Sequence, residues 1–328
     1  MKILYISSTR FDYLQDLTYS GLVKILGKEN VVDYPWNKKF HLPIKSYPKN
    51  IGFSGFSFPF FSKNNFNDFD FVILASAKKD GLNIYNKILP QIIDKPILFL
   101  DGGDHHDIGG DFYQQKTGCL FEEIIKRRPF DLILKREYIP SLHEKIKNIH
   151  PFPFSFPYNI FIPPLSEDKK KYEVSFWAQQ KPEIRKKALQ LLEGKYDCLQ
   201  NGTTLNQDLD TYKRRGKFYL KEIARCKIVL NFRGGGWDTM RYWEVPGASS
   251  LMISQCPKIL IPDNFVGGKH VVWCSDSLDD LLDKINYYLL HQNEREEIAK
   301  NGHEHLIKYH LNTVRAETLI KIVKAALN

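Results

Sequence analysis

The chain has 328 residues, 43% of them hydrophobic and 26% charged, which is the composition of an ordinary globular protein and a length that favours two domains. No uninterrupted apolar run reaches the roughly eighteen residues that a membrane-spanning helix needs. The net charge of +9 permits an anionic partner, but no RNA- or DNA-binding motif accompanies it, so no nucleic-acid partner is expected.

Short apolar runs alternate with helical patterns in the first half of the chain. Strands are predicted at 2–7, 31–35, 69–76, 96–104 and 131–137, and helices at 16–27 and 121–128. The first of these helices is expected to end at Gly27, a residue that suits a helix C-terminus. Apolar strands that alternate with helices indicate a parallel sheet covered by helices on both faces.

The composition changes at 150–164, where five prolines are interleaved with phenylalanines. Prolines this dense do not fit inside a helix or a central strand, so the segment is predicted to be an extended linker between domains that packs its aromatic rings. The alternation of strands and helices then resumes. Strands are predicted at 172–178, 196–202 (with a turn), 227–232, 250–255 and 270–276, and helices at 183–193, 216–226, 277–291 and over the last part of the chain.

Two successive α/β segments joined by a linker predict an α/β protein with two facing Rossmann-like domains and closing C-terminal helices. We expect domains at 1–155 and 165–312, with a helix at 313–328 that packs back on the first domain. Ligands of such sheets bind beyond the carboxyl ends of the strands. Candidate site residues are therefore expected in the loops that follow the strands.

A glycine-rich loop follows the predicted strand 227–232. Its residues are Arg233, Gly234, Gly235 and Gly236. Glycines permit positive φ and a close approach of backbone N–H groups to a ligand. The helix that is expected to begin near Asp238 or Thr239 adds unpaired N–H donors and the positive end of its dipole. The loop and the helix end together predict a site for a diphosphate.

Arg241 and Glu244 are one helical turn apart and therefore lie on one face of this helix. An arginine there can bind phosphate through two parallel hydrogen bonds, and a carboxylate can accept hydrogen bonds from ribose hydroxyls. The alternative is an ion pair between the two side chains beside a surface turn. Gln179 and Arg185, which follow the strand at 172–178, are further candidates for phosphate binding, and there the alternative is an ordinary helix N-terminus.

Four successive segments are FRGGGWDTMRYWEVPGASSLMIS, IPDNFVGGKHVVW, DLLDKINYYL and EREEIAKNGHEHLIKYH. Together they resemble the C-terminal region of glycosyltransferases of the CgeB-like group and their GT-B relatives. The order and spacing fit across 172–320, although the small residues after the Glu helix are slightly shifted. The resemblance implies GT-B architecture, with a nucleotide-diphospho-sugar donor bound by the C-terminal domain. It also implies that Arg241 binds phosphate and that Glu244 binds ribose.

The second candidate site is DGGDHHDIGGD at 101–111, which follows a predicted strand. An inverting glycosyl transfer needs a base that takes a proton from the acceptor hydroxyl. His105 or His106 can be that base, with Asp104 or Asp107 orienting it. A metal site is an alternative because Asp and His are metal ligands, although adjacent histidines do not easily reach one metal and GT-B enzymes typically bind none. A turn held by local hydrogen bonds is the other alternative.

These features predict a metal-independent glycosyltransferase that moves a sugar from a nucleotide-diphospho-sugar to a glycan, lipid or protein acceptor, with no cofactor beyond the donor. The alternatives are an epimerase or hydrolase of nucleotide sugars with the same fold, a non-catalytic nucleotide- or glycan-binding protein, and a DNA-modifying transferase that the charge would suit. The charge also permits peripheral association with an anionic membrane. Five widely spaced cysteines without a CxxC pair predict free thiols in the cytoplasm.

Overall fold

The computed structural model describes residues 1–43, 47–57, 66–196, 203 and 217–327. They divide into two compact units. The first consists of Met1–Tyr158, Ile259–Pro262 and Asn312–Asn328, and the second of Asn159–Lys258 and Asp263–Leu311. Nearly all of the strand and turn predicted at 196–202 lies outside the described residues. Within the described parts of the chain, no helix is both long and apolar enough to cross a membrane.

The first unit is built on a six-stranded parallel sheet. Its strands are β1 (Ile3–Ile6), β2 (Val31–Tyr34), β3 (Phe71–Leu74), β4 (Ile97–Asp101), β5 (Leu132–Lys135) and β6 (Ile149–Pro151). Their spatial order is β2-β1-β3-β4-β5-β6, and every pair is parallel. The strand order reverses between β1 and β3, which is the switch point at which doubly wound sheets bind ligands.

Seven helices of the described chain belong to the first unit. They are α1 (Tyr13–Leu26), α2 (Lys38–His41), α3 (Lys79–Ile88), α4 (Gly110–Gln114), α5 (Gly118–Arg127), α6 (Pro140–His143) and α12 (Asn312–Leu327). Helix α1 begins where the Asp12 carboxylate accepts a 3.1 Å hydrogen bond from the Gln15 amide. It ends at Gly27, whose φ of 88° confirms the predicted C-cap because a side chain rarely tolerates that conformation.

The proline-rich segment is only partly the linker that the sequence predicts. Its first residues belong to β6, the edge strand of the first sheet, where a proline costs no ladder hydrogen bond. Phe152 then donates its amide to the carbonyl oxygen of Lys135 at 2.8 Å. Phe152, Phe154 and Phe156 are buried, so the predicted packing of the aromatic rings is confirmed, whereas Phe161 is exposed.

The second unit has a smaller parallel sheet of four described strands in the order β10-β9-β8-β7. The strands are β7 (Tyr172–Ser175), β8 (Cys226–Asn231), β9 (Leu251–Gln255) and β10 (Val272–Cys274). The helices are α7 (Glu183–Leu192), α8 (Lys217–Ala224), α9 (Met240–Gly247), α10 (Leu281–Leu290) and α11 (Gln292–Tyr309). Val174, Ile228, Leu230, Leu251 and Ile253 form the centre of its apolar core.

The last helix, α12, packs against α1 at the position of a glycine. Asn312 donates its side-chain amide to the Leu17 carbonyl at 3.0 Å and to the Ser20 hydroxyl at 2.8 Å. A Cβ on Gly21 would lie 2.3 Å from the carbonyl oxygen of Asn312. The backbones of the two helices therefore approach each other too closely for any side chain at position 21.

Replacing Gly21 by Ala is expected to lower the free energy of unfolding by about 1–3 kcal/mol, because the added methyl forces α1 and α12 apart. Gly81→Ala is the matched control, since a Cβ on this other helical glycine would lie 3.7 Å from its nearest neighbour. That change should raise the free energy of unfolding by about 0.5–1 kcal/mol by removing a flexible residue from α3. Urea unfolding measures both, and equal stabilities of the two variants would contradict this packing.

Candidate functional site: the carboxyl edge of the second sheet

The candidate donor site lies where β7 and β8 end. These neighbouring strands are parallel and paired, with Ser175 opposite Val229, so their following loops emerge at the same edge of the sheet. The segment after β7 begins with Phe176 and Trp177, and the segment after β8 is the glycine loop. Thr203 holds the first segment, because it donates its amide to the Phe176 carbonyl at 2.7 Å and accepts the Ala178 amide at 3.0 Å.

Arg185 fixes the beginning of the glycine loop. From α7, its Nε donates to the Arg233 carbonyl at 2.9 Å and its Nη2 donates to the Phe232 carbonyl at 3.1 Å. A Cβ on Gly234 would lie 2.8 Å from that same Nη2. None of Gly234, Gly235 and Gly236 has a positive φ, so the loop does not use the conformational freedom that glycine permits. A side chain at Gly234 would instead have to displace the guanidinium of Arg185.

The helix that follows the loop, α9, begins as predicted at Thr239. The hydroxyl of Thr239 does not cap the helix, because it donates to the Asn231 side chain at 2.7 Å. The side chain of Thr239 therefore accepts no hydrogen bond from the first backbone N–H groups of α9. An uncapped N-terminus presents N–H donors and the positive end of the helix dipole, which together favour an anion.

Arg241 is a buried cation, two of whose nitrogens have no hydrogen-bond partner among the described residues. Its side chain is on the first turn of α9, and the residue is only 9% exposed. Nε and Nη1 are buried and make no hydrogen bond in the described structure. The nearest aromatic contact places its guanidinium 5.4 Å from the centre of the Phe176 ring. A guanidinium keeps its charge in proteins, and burying an unpaired charge costs several kcal/mol, so an anionic ligand would stabilise this arrangement.

Glu244, in contrast, has a hydrogen-bond partner within the protein. It lies one turn after Arg241, and its Oε2 accepts a 2.9 Å hydrogen bond from the hydroxyl of Tyr219 in α8. The Tyr219 ring packs edge-on against Trp177, with centroids 5.7 Å apart. The indole nitrogen of Trp177 is buried without a hydrogen-bond partner. No ion pair joins Arg241 to Glu244 in the described structure, and Tyr219 is a member of the site that the sequence interpretation missed.

Two other predicted residues lie on the surface of this edge. Gln179 is exposed, on the segment between β7 and α7. Arg233 is exposed as well, and its guanidinium lies 5.0 Å from the centre of the Trp237 ring. Lys258 places its ammonium 5.7 Å from the same ring. Arg233 therefore lies on the solvent-exposed side of the loop, whereas Arg241 is buried in the protein.

The loop at 101–111 in the first unit is organised around a buried ion pair. The carboxylate of Asp101 accepts Lys135 Nζ at 2.9 Å and the Gly109 amide at 2.8 Å. Both charged side chains are almost fully buried. Lys135 also donates to the carbonyl oxygens of His105 at 2.6 Å and of Asp107 at 3.0 Å. One ammonium therefore ties three points of the loop together, which supports the alternative of a turn held by local hydrogen bonds.

The four predicted catalytic residues have different surroundings. Arg136 forms an ion pair with the carboxylate of Asp104. His106 lies with its Nε2 3.8 Å from Asp107 Oδ1, and both side chains are more than half exposed. His105 is partly buried, and its backbone carbonyl contacts Lys135. No close carboxylate orients either imidazole in the described structure, so the assignment of the base stays a prediction.

Burial shifts the pKa of two groups beside this loop. Burial raises the pKa of Asp111, and the nearby charge of Asp104 acts in the same direction. Burial lowers the pKa of His143, as does the charge of Lys135, while a hydrogen bond to the His106 backbone opposes both. In the parts of the chain that are described, no three His, Cys, Asp or Glu side chains are placed to hold a metal ion.

One protein-family model matches part of this chain. A family model described as glycosyl transferase-like matches residues 201–321, which include the glycine loop and α9. Comparison with curated proteins gives no match.

Solved structures similar to the whole chain are glycosyltransferases. The Anabaena protein HepE in complex with UDP-glucose has 11% identity and a TM-score of 0.62, over 99% of this chain and 100% of that one. A glycosyltransferase from Rickettsia africae has 11% identity and a TM-score of 0.59, over 100% and 98%. Sucrose-phosphate synthase from Thermosynechococcus elongatus has 12% identity and a TM-score of 0.54, over 100% and 99%.

At this identity the likeness establishes the fold. The chain has two parallel-sheet α/β units with C-terminal helices, and its structural neighbours are GT-B glycosyltransferases, which confirms the predicted fold class. The family-model match and the structural matches together support a transferase enzyme.

Replacing Arg185 by Lys is expected to lower the free energy of unfolding by about 1–2 kcal/mol, because one ammonium cannot reproduce the planar pair of hydrogen bonds to the loop carbonyls. Lys187→Gln is the control on the same helix, since its 3.2 Å ion pair with Asp279 is exposed and should change the value by less than about 0.5 kcal/mol. Chemical denaturation compares them. If Arg185→Lys is as stable as the control, Arg185 does not hold the loop.

Proposed function

We propose that the protein is a glycosyltransferase that uses a nucleoside-diphospho-sugar, with the diphosphate bound by Arg241, the backbone of Gly234, Gly235 and Gly236, and the N-terminus of α9. The observation that carries this proposal is the buried guanidinium of Arg241, whose Nε and Nη1 have no partner. A diphosphate supplies the missing negative charge and acceptor oxygens. We further propose that the chain belongs to the CgeB-like group.

The same groups would also perform the chemistry at the donor. When the bond between the sugar and the diphosphate breaks, negative charge grows on the leaving oxygen. A guanidinium and a helix N-terminus that are already in place stabilise that charge without reorganising, which lowers the barrier. This role would otherwise fall to a metal ion, and we therefore propose that the transfer proceeds without one.

Glu244 is proposed to bind the ribose. Its carboxylate is buried, and Tyr219 already donates one hydrogen bond to it at 2.9 Å. A carboxylate can accept several hydrogen bonds, so Glu244 can take one from a ribose hydroxyl as well as the one from Tyr219. The hydrogen bond from Tyr219 fixes the carboxylate before the ligand arrives, which reduces the entropy lost on binding.

The donor nucleotide with the most direct support is a uridine diphosphate. A structural neighbour, HepE, was crystallised with UDP-glucose, and also with UDP and glucose. UDP-glucose is accordingly the first donor to test. A glycan, lipid or protein acceptor, peripheral membrane association and a cytoplasmic location stay predictions from the sequence.

Arg241→Gln is expected to weaken UDP binding by about 10–100-fold, because a hydrogen-bonded charge contributes roughly 1.5–3 kcal/mol. The same substitution should leave uridine binding unchanged, since uridine has no phosphate. Glu244→Gln should weaken UDP by about 5–10-fold, and the loss should disappear with 2′,3′-dideoxy-UDP. Lys186→Gln, at an exposed position of α7, is the control. Titration calorimetry without added metal gives all the affinities.

Each contrary result points to a different alternative. If Arg241→Gln weakens uridine and UDP equally, the substitution has damaged the fold instead of removing a phosphate contact. If UDP does not bind the wild-type protein at millimolar concentration, the transferase proposal fails. If UDP-glucose is converted without any acceptor at the roughly 1 s⁻¹ or more of a dedicated enzyme, and not only by slow background transfer to water, a hydrolase or epimerase is favoured. If UDP-glucose binds without any turnover, a binding protein is favoured.

His105 or His106 is proposed as the general base, with Asp104 or Asp107 beside it. Replacing the true base by Gln should lower kcat by about 10²–10⁴-fold while the KM for the donor changes little. Release of UDP from UDP-glucose by transfer to water gives an assay that needs no known acceptor. Losses smaller than twofold for both His105→Gln and His106→Gln would contradict the assignment and leave the loop a structural turn.

A further inference from the structure

A cavity of about 600 Å³ lies at the opposite edge of the second sheet from the glycine loop. One side of it consists of residues at the amino ends of the strands: Lys170 precedes β7, Lys227 is near the start of β8, and Ser249 precedes β9. The other side is formed by α11, including Arg295. The volume is within the roughly 300–1,000 Å³ of small-molecule sites.

The lining of this cavity carries an excess of positive charge. Glu167 Oε1 accepts Arg295 Nη2 at 2.6 Å and Lys227 Nζ at 3.0 Å, so a single carboxylate faces two cations. Lys170 adds a third cation, whose Nζ has only carbonyl and hydroxyl oxygens around it, the closest being the Cys226 carbonyl at 3.1 Å. Lys300, Glu296 and Glu304 also line the cavity, so four cations face three carboxylates and leave one formal positive charge, which an anionic ligand would offset.

Two polar atoms of the lining residues have no hydrogen bond. The Ser249 hydroxyl and the second carboxylate oxygen of Glu167, Oε2, are buried and unpartnered. Ser249 also has a φ of 54°, a conformation that costs a residue other than glycine roughly 1 kcal/mol or more. The conformation of Ser249 belongs to the end of α9, where a left-handed residue is common, so the unsatisfied groups are what indicates a ligand. Glu167 needs a donor, and a hydroxyl group of a ligand would provide one.

The ionisation of Lys170 is consistent with a need for an anion. Burial lowers the pKa of its ammonium to about 8, because the charged form is removed from water. The charges of Cys226 and Glu167 act against this shift without cancelling it. A bound anion beside the ammonium would stabilise its charge.

We propose that this cavity binds a small organic anion that also carries hydroxyl groups, of the chemical class of a sugar phosphate. The phosphate contacts Lys170 and Lys227, and the hydroxyls satisfy Glu167 and Ser249. The site is distinct from the donor site, because it is built from the amino ends of the strands whose carboxyl ends lead to the glycine loop and α9. It does not depend on the proposed transferase activity.

Calorimetric titration of the full chain with glucose 6-phosphate tests the proposal, with glucose and inorganic phosphate as partial ligands. Glucose 6-phosphate should bind at least tenfold more tightly than either. Lys227→Gln should weaken it tenfold or more, and Lys227→Arg, which keeps the charge, should retain it. Ser249→Gly removes the hydroxyl at a position where glycine relieves the strain, and should weaken binding about threefold to tenfold.

Two control substitutions distinguish a loss of ligand binding from damage to the fold. Glu296→Gln removes a negative charge from the same lining and should leave binding equal or stronger. Arg241→Gln should not change it, because Arg241 belongs to the other edge. The proposal is overturned if glucose 6-phosphate fails to bind at millimolar concentration, if inorganic phosphate binds as tightly, or if Arg241→Gln abolishes binding while Lys227→Gln does not.

Discussion

The two hydrogen bonds from Arg185 to the carbonyl oxygens of Phe232 and Arg233 are the interaction on which the candidate donor site depends. They join α7, which follows the first strand of the second sheet, to the loop that follows the next strand. A planar guanidinium can make both bonds from one rigid group, so the loop has little freedom at its start. A side chain at Gly234 would disturb these bonds, because its Cβ would lie 2.8 Å from Nη2 of Arg185.

With the loop fixed, α9 begins at a defined place and its first turn holds Arg241 inside the protein. The two side chains of α9 that are proposed to bind the donor have different surroundings. Glu244 already has Tyr219 as a partner, whereas Arg241 has none for Nε and Nη1. A partly satisfied carboxylate is oriented before binding, and an unsatisfied cation gives a large electrostatic gain when an anion arrives. The arrangement therefore favours a ligand with a phosphate group and hydroxyl groups close together.

Much of this organisation could be predicted from the sequence, because apolar runs separated by helical patterns determine parallel α/β units locally. The position of Arg241 at the start of a helix after a glycine loop was also predictable. The contact of Gly234 with Arg185 was not, since the two residues are far apart in the chain and only tertiary structure joins them. The same holds for Tyr219, which no local pattern connects to Glu244.

The loop at 101–111 also has a partner that the sequence does not reveal. Its carboxylates and imidazoles suggest chemistry when only their types are known. The structure adds Lys135, from the next strand, which is buried and bonds to Asp101 and to two backbone carbonyls of the loop. A local pattern rich in Asp, His and Gly therefore serves at least to build a turn around a distant lysine, and sequence spacing alone does not reveal that partner.

A crystal structure of the protein with UDP, grown without divalent metal, tests the central claim most directly. We expect the diphosphate oxygens within hydrogen-bond distance of the Arg241 guanidinium and the start of α9, with the ribose hydroxyls at Glu244. A structure in which UDP binds elsewhere, or in which Arg241 pairs with a protein carboxylate while the nucleotide is bound, would contradict it.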